Sequence, residues 1–147
     1  MADWQTRMMH LAEHVAAWSK DPSTKVGAVV MEPGTHVVLG LGYNGFPRGV
    51  GDDERLHDRP SKYPRIVHAE VNAILNASRN VRGAILYATK FPCAECAKVI
   101  IQAGIAEVGA PAIDGLWAES QEVAAEMFQE ARVLVREYVI VPEGATS

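Results

Sequence analysis

The 147-residue chain is poor in cysteine: Cys93 and Cys96 are its only two. That scarcity excludes a disulfide framework, because one bridge across so short a spacing would close a tiny loop and staple nothing. As metal ligands the two thiols instead fit a reducing compartment. No run of 18 apolar residues occurs, so no membrane-spanning helix is expected. The start, Met1-Ala2-Asp3-Trp4-Gln5, lacks the basic stretch and apolar segment of a secretory leader, and a cytoplasmic protein is the expectation. Positive charge is not in excess either. Fourteen Lys and Arg against 18 Asp and Glu give a net charge of −4, which argues against a general affinity for RNA or DNA backbones. Repeats, low-complexity tracts and linkers are all missing, so residues 1–147 are expected to form a single domain. With 48% hydrophobic and 22% charged residues, the chain has the make-up of a folded globule rather than a disordered one.

What is present reads as alternating elements. Trp4, Met8, Leu11, Val15 and Trp18 recur at helical spacing and predict an amphipathic helix over 3–18 with one buried stripe. Residues 26–31 and 36–41 are apolar and β-rich about a Glu32-Pro33-Gly34 turn, which predicts a hairpin. Residues 42–64 form a long connection rich in glycine and proline, and long ordered connections are usually functional. A helix is predicted over 67–78 and a strand over 84–89. A helix with Pro92 as its first residue should run to 102, and a strand is expected near 106–109. A helix over 117–132 and a strand over 133–141 complete the pattern. This order predicts an α/β fold of three α-β-α layers. Its five-stranded mixed sheet should have the last three strands parallel, because each of those pairs is joined through a helix.

Two short motifs lie 25 residues apart, His68-Ala69-Glu70 and Pro92-Cys93-Ala94-Glu95-Cys96. They offer one imidazole and two thiols, a soft donor set that suits zinc. Three protein ligands leave the fourth tetrahedral position open, as in a zinc that activates water rather than one that holds a fold. Cys93 and Cys96 share one helix face, and His68 starts the other motif helix, so two positive helix ends should converge on the metal and favour thiolate. Glu70 is expected to carry protons between water, ring nitrogen and leaving amine; alone it would read as a carboxylate stabilised by the helix dipole. A structural zinc would need a fourth ligand, for which His10, His14, His36 and His57 are the candidates. H-x-E followed by P-C-x-x-C is the signature of zinc deaminases of nucleobases.

Two other patterns do not carry function. His10-Leu11-Ala12-Glu13-His14 matches an inverted zinc-protease motif but reads as two surface histidines on a helix flank. Gly40-Leu41-Gly42-Tyr43-Asn44-Gly45 matches a dinucleotide fingerprint, yet no helix opens after it. Its glycines are expected to let the backbone approach a ligand, and Asn44 either reads a base or sugar or forms a turn.

The chain resembles the deoxycytidylate (dCMP) deaminase family over roughly residues 19–107. The resemblance rests on Ser19-Lys20-Asp21-Pro22-Ser23-Thr24-Lys25-Val26-Gly27-Ala28, on Gly42-Tyr43-Asn44-Gly45-Phe46-Pro47, on the two zinc motifs, and on Ile100-Ile101-Gln102-Ala103-Gly104-Ile105. It implies conversion of dCMP to dUMP and ammonia for thymidylate synthesis, with one Zn²⁺ per chain. It also implies a homohexamer activated by dCTP, with Mg²⁺, and inhibited by dTTP. Asn44 and the backbone N–H of Ala69 would hold pyrimidine and sugar. Lys25, beside Ser23 and Thr24, and Arg48 are the nearest cations for a phosphate. Tyr43, Gly45, Phe46 and Arg48, in the glycine-rich 42–51 loop, are the expected regulatory nucleotide site. The chain departs from many relatives at Gly109-Ala110-Pro111-Ala112-Ile113-Asp114-Gly115-Leu116-Trp117, where they carry a polar, Tyr-containing loop. Competing functions are deamination of a nucleoside, a modified dCMP or adenosine in tRNA, the last disfavoured by the acidic balance. A zinc-stabilised binding module without activity is the alternative of another class, and the intact Glu70 argues against it.

Overall fold

The computed structural model describes residues 3–139. Its strands form one five-stranded sheet in the order β2-β1-β3-β4-β5. β1 (Gly27–Met31) and β2 (Val38–Tyr43) make the expected antiparallel hairpin, with Gly27 opposite Tyr43 and a bulge between Val30 and Met31. β3 (Ile85–Ala88) runs antiparallel to β1. β4 (Glu107–Ala110) and β5 (Leu134–Glu137) continue parallel to β3, as the crossover rule requires. Ile140 and Val141, which the sequence pattern assigns to the last strand, lie outside the described residues. No helix among the described residues is long and apolar enough to cross a membrane.

β1 and β3 are buried on both faces, which is why they read as continuous apolar runs rather than alternating ones. Val29, Met31, Ile85 and Tyr87 pack on α1 (Trp4–Ala16) through Met8, Met9 and Ala12. Ala28, Val30, Leu86, Ala88 and Val108 pack on the other side. There they meet α3 (Ala69–Leu75), α4 (Ala94–Gln102) and α5 (Ala118–Glu130).

The buried face of α1 differs from the expected stripe. Met8 and Val15 are buried as predicted, but Trp4 and Trp18 stay 38% and 49% exposed, and Met9, Ala12 and Ala16 take their place. The small residues matter because β1 touches the helix backbone there: a Cβ on Gly27 would stand 2.0 Å from the Ala12 carbonyl oxygen. Trp4 stacks on His36 at 4.3 Å between ring centroids, and Trp18 meets the edge of Tyr43 at 6.2 Å.

Gly40 and Gly42 of the rejected dinucleotide pattern have a similar role, and the expectation that they admit a ligand is corrected. A Cβ on Gly40 would lie 2.3 Å from the Ala73 carbonyl oxygen; one on Gly42 would lie 2.3 Å from the Ala73 nitrogen and 2.4 Å from the Ala69 carbonyl oxygen. What approaches β2 is the backbone of α3. That seating fixes the start of α3 and with it the first zinc motif.

Helix boundaries also move. α4 begins after Cys93, which is its N-cap, so Pro92 precedes the helix instead of opening it. α5 follows a 3₁₀ turn at Gly115–Trp117. The long connection holds a 3₁₀ turn, Glu54–His57, and one helical turn, α2 (Arg59–Lys62), with proline in its first turn. Four-residue elements are too short to show a period in sequence.

Candidate metal centre and active-site cavity

His68 is the N-cap of α3 and Cys93 that of α4, and Cys96 lies in the first turn of α4. The two helix starts therefore meet. His68 Nδ1 lies 3.1 Å from Cys96 Sγ and 3.5 Å from Cys93 Sγ, and the three donor atoms all fall within 4.8 Å of one another. Tetrahedral zinc, with Zn–N of about 2.1 Å and Zn–S of about 2.3 Å, sets such atoms roughly 3.6 to 3.8 Å apart. The donor set fits zinc in number, softness and spacing. Among the described residues no fourth histidine, cysteine or carboxylate joins this cluster, and His10 and His14 belong to no comparable one.

The electrostatics match that use. The Cys93 thiol is held down at about 4, chiefly by the hydrogen bond from Cys96 and also by His68. Its neighbour is pushed the other way: the bond to Cys93 and burial keep the proton on Cys96. The pair thus shares one proton that a metal would displace. His68 is raised, first by its bond to Cys93. Glu70, only 5% exposed, is raised because burial penalises its charged form, with His68 pulling in the opposite direction. A carboxylate raised above its ordinary range is suited to accept and return a proton.

Other side chains hold these helix starts in place. Asn72 of α3 and Asn76, its C-cap, donate to the carbonyls of Tyr43 and Leu41 at 2.8 and 3.0 Å. Ser120 Oγ accepts from the Ala94 N–H at 2.9 Å. The buried Gln121 donates to the Phe91 carbonyl at 2.9 Å and accepts from the Asp114 N–H at 3.2 Å.

His68 and Cys93 open into a cavity of about 450 Å³, which also reaches Glu70, Ala69, Asn44 and Thr24. A larger groove of about 710 Å³ runs between α5 and β5 but contains none of these groups. Asn44 is buried and its amide is engaged within the protein. Its Oδ1 accepts from Val26 N–H at 2.8 Å, and its Nδ2 donates to the Thr24 carbonyl at 2.8 Å. It thereby joins the 21–26 loop to the end of β2. Lys25 does not line the cavity; its ammonium donates to the Ser19 carbonyl. Tyr43, Gly45, Phe46 and Arg48 also lie outside it. Arg48 donates to Asn76 Oδ1 at 3.1 Å, and the Phe46 ring sits under Arg55 at 5.8 Å. Gly45 pairs through its backbone with Val67, next to His68.

Residues 2–110 match the family model of the cytidine and deoxycytidylate deaminase zinc-binding region. The chain belongs to this deaminase family. An uncharacterised deaminase from the luxG 3′ region of Aliivibrio fischeri is 42% identical over 139 residues, which cover 92% of this chain and 93% of that protein. The deoxycytidylate deaminase of Homo sapiens is 45% identical over 113 residues, covering 72% of this chain but only 63% of the human protein. The crystal structure of the dCMP deaminase of cyanophage S-TIM5, in complex with dCMP and dUMP, superposes with a TM-score of 0.72 at 29% identity over 88% of this chain and 93% of that one.

In this deaminase the cations on the cavity wall are Arg59, Lys62 and Lys90, in place of the expected Lys25 and Arg48. Lys62 is buried and bridges Asp21 at 3.2 Å and Ser23 Oγ at 2.9 Å. Tyr63 and Trp117 also border the cavity, in edge contact at 5.5 Å. Nothing in the one-dimensional pattern marks these residues: a lysine in a polar connection reads as solvated until the fold turns it inward. Trp117 alone carried a signal, as the aromatic end of the loop that departs from the family pattern.

Proposed function

We propose that the chain hydrolyses dCMP to dUMP and ammonia. The observation that carries this reading is the burial of Glu70 beside a three-donor cluster on the wall of a cavity that also bears cations. Zinc held by His68, Cys93 and Cys96 would supply Lewis acidity that brings a water molecule toward ionisation at neutral pH. Glu70 takes the proton of the attacking water as oxygen bonds to C4 of the pyrimidine. It passes that proton to the ring nitrogen, then takes the remaining proton from the hydroxyl now on C4 and delivers it to the amine, so that ammonia leaves as the C–N bond breaks and C4 becomes a carbonyl. Asn44, Thr24 and the start of α3 at Ala69 border the substrate. The dCMP and dUMP bound to the cyanophage relative support a nucleotide as that substrate.

The same proposal includes a homohexamer, activation by dCTP with Mg²⁺ and inhibition by dTTP. Of the 42–51 loop, Asn44 lines the cavity but Tyr43, Gly45, Phe46 and Arg48 do not, so a nucleotide bound at those four is a second ligand. The Gly45–Val67 bridge gives that ligand a route to His68.

The test is ammonia release from cytosine, cytidine, deoxycytidine, CMP, dCMP and dCTP by protein of measured zinc content. dCMP should be the best substrate. Glu70→Gln should keep its zinc and lose at least roughly 10²-fold in rate. Zinc-loaded wild-type protein that releases ammonia from none of these compounds refutes the proposal. Near-normal turnover by zinc-loaded Glu70→Gln refutes the role of Glu70.

A further inference from the structure

Arg59 of α2 and Lys90, in the bend after β3, both line the cavity. Among the described residues neither side chain has a hydrogen-bond, ion-pair or ring partner. The other charges on the wall are matched. Lys62 is paired with Asp21, Glu95 is tied to Lys98 at 2.9 Å, and Glu70 stands with the zinc ligands. Two positive charges are therefore left uncompensated in a partly enclosed cleft of a chain whose net charge is −4. A cleft of one sign of charge, with low-dielectric walls, concentrates its field on a ligand of the other sign.

The geometry points to Arg59 and Lys90 as the anion subsite of this cavity, gripping the phosphate of a nucleoside 5′-monophosphate while its base reaches the zinc ligands. The assignment rests on the deaminase reading above and replaces Lys25 and Arg48 as phosphate contacts. The two cations have complementary properties. Arg59 offers a planar fork that matches two phosphate oxygens, and Lys90 a compact charge on a flexible stem. Lys90 also lies three residues before Cys93, the N-cap of α4 and one of the three metal donors.

Two measurements on zinc-loaded protein test this. The first is calorimetric binding of 2-deoxyribose 5-phosphate, which has the phosphate and no base. Arg59→Ala and Lys90→Ala should each weaken it roughly tenfold and the double variant roughly a hundredfold, since bonds to charged groups are the strong ones. Lys20→Ala, at an exposed lysine paired with Asp52, should leave it unchanged. The second is kcat/KM on dCMP and on deoxycytidine, where the preference for the nucleotide should fall by the same factors. A double variant that binds the sugar phosphate as tightly as wild type, or keeps the full preference, overturns the assignment. A wild-type protein that binds the sugar phosphate through these two residues but deaminates no cytosine compound would remove the deaminase reading and leave the anion subsite standing.

Discussion

Two buried carboxylates of the cavity wall, Asp21 and Glu70, are driven in opposite directions by their surroundings. Burial disfavours the charge of both. Around Asp21, donation from the backbone N–H groups of Ser23 and Thr24, from Lys62 and from the Ser23 hydroxyl outweighs it, and the carboxyl falls below its ordinary range. Around Glu70, His68, the residue's own backbone N–H and the Cys96 thiol favour the charge less strongly, and burial prevails. Asp21 is thus a fixed anion, whereas Glu70 has the raised carboxyl that the proposed proton carrier needs. Because the folded pKa of Asp21 is depressed, its contribution to stability is complete above the unfolded value, about 3.9, and is lost as pH falls through the folded one. Asp21→Asn strands the buried Lys62 ammonium and should cost about 3–5 kcal/mol near neutral pH. Urea unfolding from neutral pH down to about pH 3 checks this: the gap between wild type and variant should narrow on acidification. A gap that stays constant would show that Asp21 contributes no charge to the fold.

At the scale of elements, the three glycines at the end of β2 look alike in sequence and differ in the fold. Gly42 is pressed against the α3 backbone, while a Cβ on Gly45 would meet nothing within 4 Å. Gly42→Ala should therefore destabilise by about 1–3 kcal/mol through overpacking. Gly45→Ala should stay within about 0.5 kcal/mol. Denaturant midpoints of the two variants decide it, and equal losses would mean that α3 does not bear on β2 as described. This contrast shows what was legible beforehand. β1, β3 and the motif helices were readable because apolar runs and helix-start residues are local signals. The clustering of His68, Cys93 and Cys96, with Glu70 buried beside them, was readable because the spacing of the two motifs follows from the chemistry they would serve. The seating of α3 on Gly40 and Gly42, the rotated face of α1 and the turns at Glu54–His57 and Arg59–Lys62 are decided by packing between distant segments. For the same reason sequence pointed to Lys25 and Arg48, whereas the fold brings Arg59, Lys62 and Lys90 to the cavity.

For the whole molecule, the donor cluster joins segments that the sheet holds apart. α3 sits on the β1–β2 hairpin, whereas α4 packs among β3, β4 and α5. An ion shared by His68, Cys93 and Cys96 ties these parts together, and a ligand that binds only the folded state stabilises it by mass action. At free zinc about a thousand times its dissociation constant, the gain is about 4 kcal/mol. For a chain of this size that corresponds to a rise in melting temperature of roughly 8–16 °C. Chelation should lower the melting temperature by that order. Added Zn²⁺ should restore it and Mg²⁺ should not, since Mg²⁺ prefers oxygen ligands to imidazole and thiolate. Cys96→Ser should melt near the chelated wild type and gain little from added zinc. Scanning calorimetry with metal analysis on the same samples separates the outcomes. If wild-type protein shown to have lost its zinc melts where the loaded protein does, the metal acts in chemistry alone and the two halves of the site are held together by packing.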